Sequence, residues 1–322
     1  MIKCWSRTKL MTCLCLCAGI AAAQPYPSKP IRILVGYVPG GAVDFTARMV
    51  AQKLSEALGQ PVVVENRAGA TTAIATERVA TSPADGYTLL LIPTSTAVQT
   101  ALRNNLPYDL KRDLAPVSLV SIGPFVLVVH PSLPAKTPKE LIALAQRQPG
   151  VLNYGSPGVG SANHLAGELF LLQTKVKITH IPYKGSGEAV IAAASGQAPV
   201  SFPSLAGAMP LLDNGRLRPL AVTSLRRASS LPKVPTIDET LLKGFDYVAW
   251  YGVAAPAATP REIVARLNAA IGKLTQLPDV REALAKQGFE AQPSSPEEFA
   301  SIINREIEQT IKLIQITGLK AE

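Results

Sequence analysis

The sequence predicts an α/β chain of two domains, each a sheet flanked by helices, with the polypeptide crossing between them twice. Three observations carry this. The chain has 322 residues, 47% hydrophobic and 17% charged, more than one core usually supports. Short aliphatic runs alternate with stretches of helical periodicity. Finally, each half holds a glycine-rich loop between a strand and a helix, the place where open α/β sheets bind ligands.

Residues 1–23 read as an export signal. Lys3, Arg7 and Lys9 precede an apolar run over 10–20, and Ala21-Ala22-Ala23 then offers a cleavage site, expected after Ala23. The run is too short to span a bilayer. All four cysteines, Cys4, Cys13, Cys15 and Cys17, fall in this segment, so the mature chain is expected to have no disulfide, thiolate metal site or cysteine nucleophile. A lipoprotein signal competes, but Leu16 and Thr12 stand before Cys17 and Cys13 where a small residue is wanted. The net charge is +9, and three of those units leave with the signal. The remaining excess is spread thinly, with Lys111-Arg112 and Arg226-Arg227 as basic pairs, which excludes a nucleic-acid footprint and suits acidic solutes weakly.

Taken in order, 24–30 is an extended lead-in with three prolines. Ile31, Ile33, Leu34 and Val35 make a buried parallel strand stopped by Pro39-Gly40-Gly41, and a helix follows with Val43, Ala47, Val50, Ala51, Leu54 and Leu58 on one face before Gly59. PVVVE at 61–65 is a second strand, 72–80 a short helix, and YTLLLI at 87–92 a third strand ending at Pro93-Thr94-Ser95. Such units imply right-handed crossovers and a parallel sheet. Two apolar runs in 119–130 around Gly123-Pro124 mark the first crossing. A helix signal at 137–140 follows, and then strands at 152–156, 177–183, 199–202 and 217–224 alternate with helices starting near Ser161, Ser186 and Ala206. The proline-rich 231–239 is a surface segment and YVAWYGVAA at 247–255 the return strand. Beyond Thr259-Pro260 the chain is helical. The domains so predicted are 24–124 with 225–322, and 125–224.

Two glycines between a strand and a helix leave amides bare with the positive end of a helix dipole behind them, which suits a carboxylate or phosphate. Gly40-Gly41 either form such a cradle or only permit a tight turn, with Asp44 complementing the dipole. The loop 155–164, GSPGVGSANH, is a second candidate cradle, with the hydroxyls of Ser156 and Ser161 among its amides. It has phosphate-loop glycine spacing at Gly155 and Gly160 but Ser161-Ala162 where Lys-Ser/Thr belongs, which argues against a nucleotide. Neither serine sits in G-x-S-x-G. His164 either serves Ser161 as a base or is a packed hydrogen-bonding group. Gly185, Ser204, Thr94 and Ser95 stand at other strand ends as further candidates. Trp250 and Tyr251 line a cleft or belong to the core. His130, His164 and His180 lack ligand spacing, so no transition metal and no cofactor is expected.

The segments YPSKPIRILVGYVPGGAVDFTAR, QPVVVENRAG, DGYTLLL, LPYDLKRDLAPVSLV, LNYGSPGVGSANHLAGELF, IPYKGSGEA, LRPLAVTSLRRASSLPKVPTIDE and WYGVAAPAATP together resemble the Bug-type (TctC-like) solute receptors of tripartite tricarboxylate transporters, over essentially the whole mature chain. The resemblance implies a periplasmic binding protein of type II, flytrap architecture. Such a protein is no enzyme but a monomeric receptor that closes on a small carboxylated metabolite and hands it to a membrane permease. It implies that Pro39, Gly40 and Gly41 hold a carboxylate from one side and Ser156, Gly160, Ser161 and His164 from the other, with Gly185 nearby and Asp44 near any ligand amine or hydroxyl. Two departures bear on specificity. Thr71-Thr72-Ala73 replaces a glycine-rich continuation, and Ala198-Pro199 and Phe202-Pro203 stand where these receptors carry Val-Asp and Phe-Asp. An exported hydrolase using Ser161 and His164, or a sensor domain docking on a membrane signalling partner, are the other readings left open.

Overall fold

The computed structural model describes residues 26–103 and 105–318; the export signal, its cysteines and the Ala23 cleavage site lie outside them. Among the described residues there are eleven strands: β1 Ile31–Val35, β2 Val62–Asn66, β3 Thr88–Pro93, β4 Leu114–Pro124, β5 Val126–Val129, β6 Asn153–Ser156, β7 Thr179–Pro182, β8 Val200–Ser201, β9 Arg218–Val222, β10 Val248–Pro256 and β11 Glu290–Ala291. They form two sheets, in the orders β11-β4-β10-β3-β1-β2 and β7-β6-β8-β5-β9.

Both sheets follow one plan. In the first, β1 lies parallel between β2 and β3, and β10, arriving from the second sheet, inserts antiparallel between β3 and β4. In the second, β6 lies parallel between β7 and β8, and β5, arriving from the first sheet, inserts antiparallel between β8 and β9. The expected parallel pairing holds for β1, β2 and β3, but each sheet as a whole is mixed. A strand entering from the other sheet needs no right-handed crossover and can run in the opposite direction. By this plan the loop after β1 and the loop after β6 occupy equivalent positions.

Helices cover the sheets as their apolar periodicity requires. Helix Ala42–Leu58 buries Ala47, Val50, Ala51 and Leu54 and stops at Gly59, which takes the left-handed conformation (φ 69°). The last helix, Pro296–Thr317, opens with a capping box between Ser295 and Glu298 and buries Phe299, Ile303 and Ile307. Three helices were not foreseen among the described residues, the short Leu110–Asp113 and Ile237–Thr240 and a longer one. Thr94–Leu102 starts directly at the end of β3, where the sequence reads as a loop, and the last helix packs against it. Trp250 and Tyr251 are core residues, edge-on to Phe299 and Phe289 respectively.

The two passages between sheets are stitched together. Only Phe125 separates β4 from β5, and its amide donates to Thr223 Oγ1 at 2.9 Å. The Thr223 hydroxyl in turn donates to the Tyr247 carbonyl at 2.6 Å. The Phe125 and Tyr247 rings stack at 5.8 Å. Close packing of the last helix on β10 requires a residue without a side chain at Gly252, where a Cβ would meet the Phe299 ring and stand 2.8 Å from the Ser118 carbonyl. Gly252→Ala is expected to destabilise the protein by about 1–3 kcal/mol. Gly272→Ala, inside helix Arg261–Leu274 with open space around it, should be neutral or stabilising by up to about 1 kcal/mol. Urea midpoints of the two variants test the contrast.

Candidate functional site

Helix Ala42–Leu58 begins at Gly41 without a side-chain cap. Its first internal bond is Phe45 N–H to the Gly41 carbonyl, so the amides of Ala42 and Val43 project beyond the helix with no acceptor among the described residues. Pro39, Gly40 and Gly41 are exposed, and a Cβ at either glycine would meet nothing within 4 Å. Asp44, 3% exposed, holds this loop in shape. Its carboxylate accepts from Gly40 N–H (3.0 Å), Arg48 Nε (2.9 Å) and Asn66 Nδ2 (2.8 Å). Burial alone would raise its pKa, but those three donors outweigh it and hold the group below the usual carboxylate value.

The loop after β6 is knit differently. Gly158 N–H donates to Ser156 Oγ, Ser161 N–H to the Gly158 carbonyl and Gly160 N–H to His164 Nδ1. Three amides that the sequence presents as bare are thus already engaged. Ser161 caps helix Ala162–Thr174 by accepting from His164 N–H at 3.2 Å, and its hydroxyl donates to the Gly158 carbonyl at 2.8 Å. The amides of Ala162 and Asn163, in the first turn, have no acceptor among the described residues. They are the donors this end presents, and neither was singled out from sequence.

Beneath the loop lies a buried polar cluster. Ser156, fully buried, pairs its hydroxyl with His180 Nε2 at 2.7 Å. The His180 and His164 rings stack at 3.9 Å, and the Tyr154 hydroxyl donates to Glu168 Oε1 at 2.5 Å, 3.6 Å from His164 Nε2. Burial pushes His164 down to about 3, with repulsion from His180 adding to it, and burial pushes His180 down to about 4. Both rings are neutral at ordinary pH. His164 Nδ1 accepts from Gly160, which puts the neutral ring's proton on Nε2. The imidazole therefore addresses the loop backbone and not the Ser161 hydroxyl, so no general base stands on that serine. His180 was missed as a contributor because the chain separates it from Ser156 by a whole helix.

The two loops meet through helix Thr94–Leu102. Ser95, in its first turn, shares a hydrogen bond with the Tyr37 hydroxyl at 2.7 Å, just before Pro39. Near its other end, a Cβ on Gly160 would strike the Leu102 side chain and stand 3.1 Å from Gln99 Nε2. Ser95 and Leu102 are separated along a helix by about 10 Å, so the glycine loops of the two sheets flank one short helix. Thr94 itself is tied into the sheet, accepting from Trp250 N–H at 2.6 Å. Gly185 begins helix Ser186–Ala194 without a side-chain cap and with open space around it. It lies beside the β6 loop, since Tyr183 N–H donates to the Ser156 carbonyl. Ser204 caps helix Leu205–Asp213 at the same edge. On the first sheet, Ala70, Thr71 and Thr72 all take positive φ (45°, 49° and 80°), a strained run for residues with side chains. Among the described residues no group of three or more His, Cys, Asp or Glu side chains converges as a metal site would need.

Comparison with known proteins gives a consistent answer. Residues 46–319 match the model of the tripartite tricarboxylate transporter family receptor. The chain is 40% identical over 308 residues to protein BugT of Bordetella pertussis, covering 94% of each. Among solved structures it is similar to Rpa4515 of R. palustris with adipate (34% identity, TM-score 0.83, 92% of this chain and 99% of that one). It is also similar to MatC of Rhodopseudomonas palustris with bound malate (30% identity, TM-score 0.78, 90% and 100%). The chain belongs to the family of tripartite tricarboxylate transporter receptors, periplasmic solute-binding proteins of two-sheet α/β fold.

Proposed function

We propose that this receptor captures a small carboxylate-bearing metabolite between two lobes, residues 24–124 with 225–322 and residues 125–224, and delivers it to a tripartite membrane permease. The observation that carries this is the pair of helix first turns with open amides, at Ala42–Val43 and Ala162–Asn163, on equivalent loops flanking one helix. Each offers amides and a helix dipole to an anion without a buried cation that would need its own partner in the empty state. Proteins of similar structure hold adipate and malate, which supports the same ligand class here.

The side chains then divide by role. Gly40 and Gly41, with Pro39 before them, leave room at the first cradle. Asp44, Ser156, Ser161 and His164 hold the loops that present the amides, while Gly185, Ser204, Thr94 and Ser95 form the surrounding rim. Phe202 and Pro203 are buried and Ala198 is fully buried, so of the two departures from the family pattern the one at Pro203 removes an acidic group beside Ser204, while Pro199 lies at the other end of β8, where its carbonyl accepts from His130 N–H. We infer a ligand with an apolar or uncharged tail in place of an ammonium group. The protein acts as a monomer, is exported with cleavage after Ala23, and carries out no chemical step. The His164 ring turned away from the Ser161 hydroxyl supports that last point against a hydrolase.

Gly41 has φ −89° and ψ 176°, a conformation open to any residue, which permits a clean test. Gly41→Ala should change the affinity for adipate, used as the probe, by no more than about threefold. Gly41→Asp, placing a like charge against the carboxylate at roughly 4 Å, should weaken it at least about 100-fold. Calorimetry decides; equal affinity of the Asp variant and the parent moves the site elsewhere. Adipate turnover by the purified protein would overturn the receptor reading.

The histidine pair makes an acid prediction. An unfolded chain protonates both rings near pH 6.5 whereas the fold keeps them neutral down to about 4 and 3, so the unfolded state binds the extra protons. Their contribution is complete well above pH 6.5 and is lost as the pH falls through and below it, by about 3 kcal/mol at pH 5.5. His180→Phe, which keeps a stacking ring, should roughly halve that loss in urea titrations run from pH 7.5 to 5.5.

A further inference from the structure

A cavity of about 260 Å³ lies away from the two glycine loops, between helix Ala162–Thr174 of the second sheet and the last helix of the first. One wall is hydrocarbon, from Leu165, Leu169 and Leu172. The opposite wall holds Glu306, 7% exposed, whose carboxyl has weak support. Tyr247 OH donates to Oε1 at 3.3 Å and Trp250 Nε1 to Oε2 at 3.4 Å, both near the outer limit of a hydrogen bond. No Lys or Arg among the described residues lies within 4 Å of it. A buried carboxylate lacking a cation is costly, and this one fronts a space large enough for a guest.

We propose that this cavity is a second ligand site that takes a small aliphatic amine, its ammonium group on Glu306 and its hydrocarbon chain along Leu165, Leu169 and Leu172. The chemistry follows from the two walls. An ammonium donates to both carboxylate oxygens with charge assistance that the Tyr247 and Trp250 donors lack, and a short alkyl chain buries apolar surface against the leucines. The groups around Glu306 leave the role of cation open. Helix Ala162–Thr174 faces the cavity with leucines and Gln173, and the segment before β10 contributes Tyr247 and Asp246. Trp250 of β10 is uncharged, and Lys312 of the last helix lines the cavity without an ion pair to Glu306. Because the walls come from helices on both sheets, an occupant would bridge them.

Burial raises the Glu306 carboxyl to about 7, so the group is mostly protonated at pH 6 and mostly ionised at pH 8, while an alkylamine stays cationic at both. n-Hexylammonium chloride serves as the probe, with hexanol and ammonium chloride as controls, read by thermal denaturation and calorimetry on the mature protein. The expected result is a rise in Tm of about 2 °C or more with hexylammonium alone, with affinity about tenfold stronger at pH 8 than at pH 6. Glu306→Gln should abolish the shift, as should Leu169→Trp, which fills the cavity and spares the carboxyl. Gly41→Asp should leave it unchanged, separating this site from the carboxylate cleft. Absence of a shift in the parent protein, or a shift that survives both cavity variants, overturns the proposal.

Discussion

A peptide amide in the first turn of a helix must find an acceptor, and the helices after both glycine loops start with amides for which the described residues supply none. At several other helix starts a side chain meets part of the demand: Thr137, Ser204, Thr236 and Ser295 each accept from the helix they precede. Gly41 cannot, and Ser161 satisfies His164 while leaving Ala162 and Asn163 open. Water can fill such positions, and so can a carboxylate, which adds the attraction of the helix dipole. In the proposed site the neighbouring side chains serve to keep those amides aimed and accessible.

That requirement explains why the polar side chains around the loops are buried and spent on one another. A loop that must present its backbone cannot rely on that backbone for its own stability, so side chains take over. Asp44 ties Gly40 to Arg48 and Asn66 on the first sheet. On the second, Ser156 is held by His180, and His164 pins Gly160. The two solutions differ in electrostatics. A fixed negative charge sits behind the first loop, balanced by Arg48, whereas a pair of neutral imidazoles sits behind the second. A dicarboxylate approaching both would meet a neutral donor set at one end and a compensated charge at the other.

Much of this is legible in the sequence, and the limits have physical causes. β1 and the glycines after it are visible because an aliphatic run broken by Pro-Gly-Gly has few other outcomes. Helix Thr94–Leu102 is not visible. TSTAVQTAL is rich in β-branched residues with weak helix propensity, and packing against the last helix, hundreds of residues later, decides the matter. The same holds for the spent amides at Gly158, Gly160 and Ser161. Glycine content shows that a loop can bend but not which of its N–H groups the bend turns inward. His180 is equally silent in sequence, because its value comes from lying one strand over from Ser156.

The internal repeat bears on how closure is transmitted. Thr223 joins Phe125 to Tyr247, so the two passages between sheets are coupled at one hydroxyl and bend together more readily than apart. Helix Ala162–Thr174 carries a proposed carboxylate donor pair at its start and a wall of the Glu306 cavity farther along, and Tyr247 touches both the Thr223 junction and Glu306. A rotation of the second sheet that brings Ala162 and Asn163 toward a ligand must therefore also move Leu165, Leu169 and Leu172 relative to the last helix. In the proposed closure, movement at the loops and the width of the Glu306 cavity are then one coordinate, since a rigid helix cannot shift one end without the other.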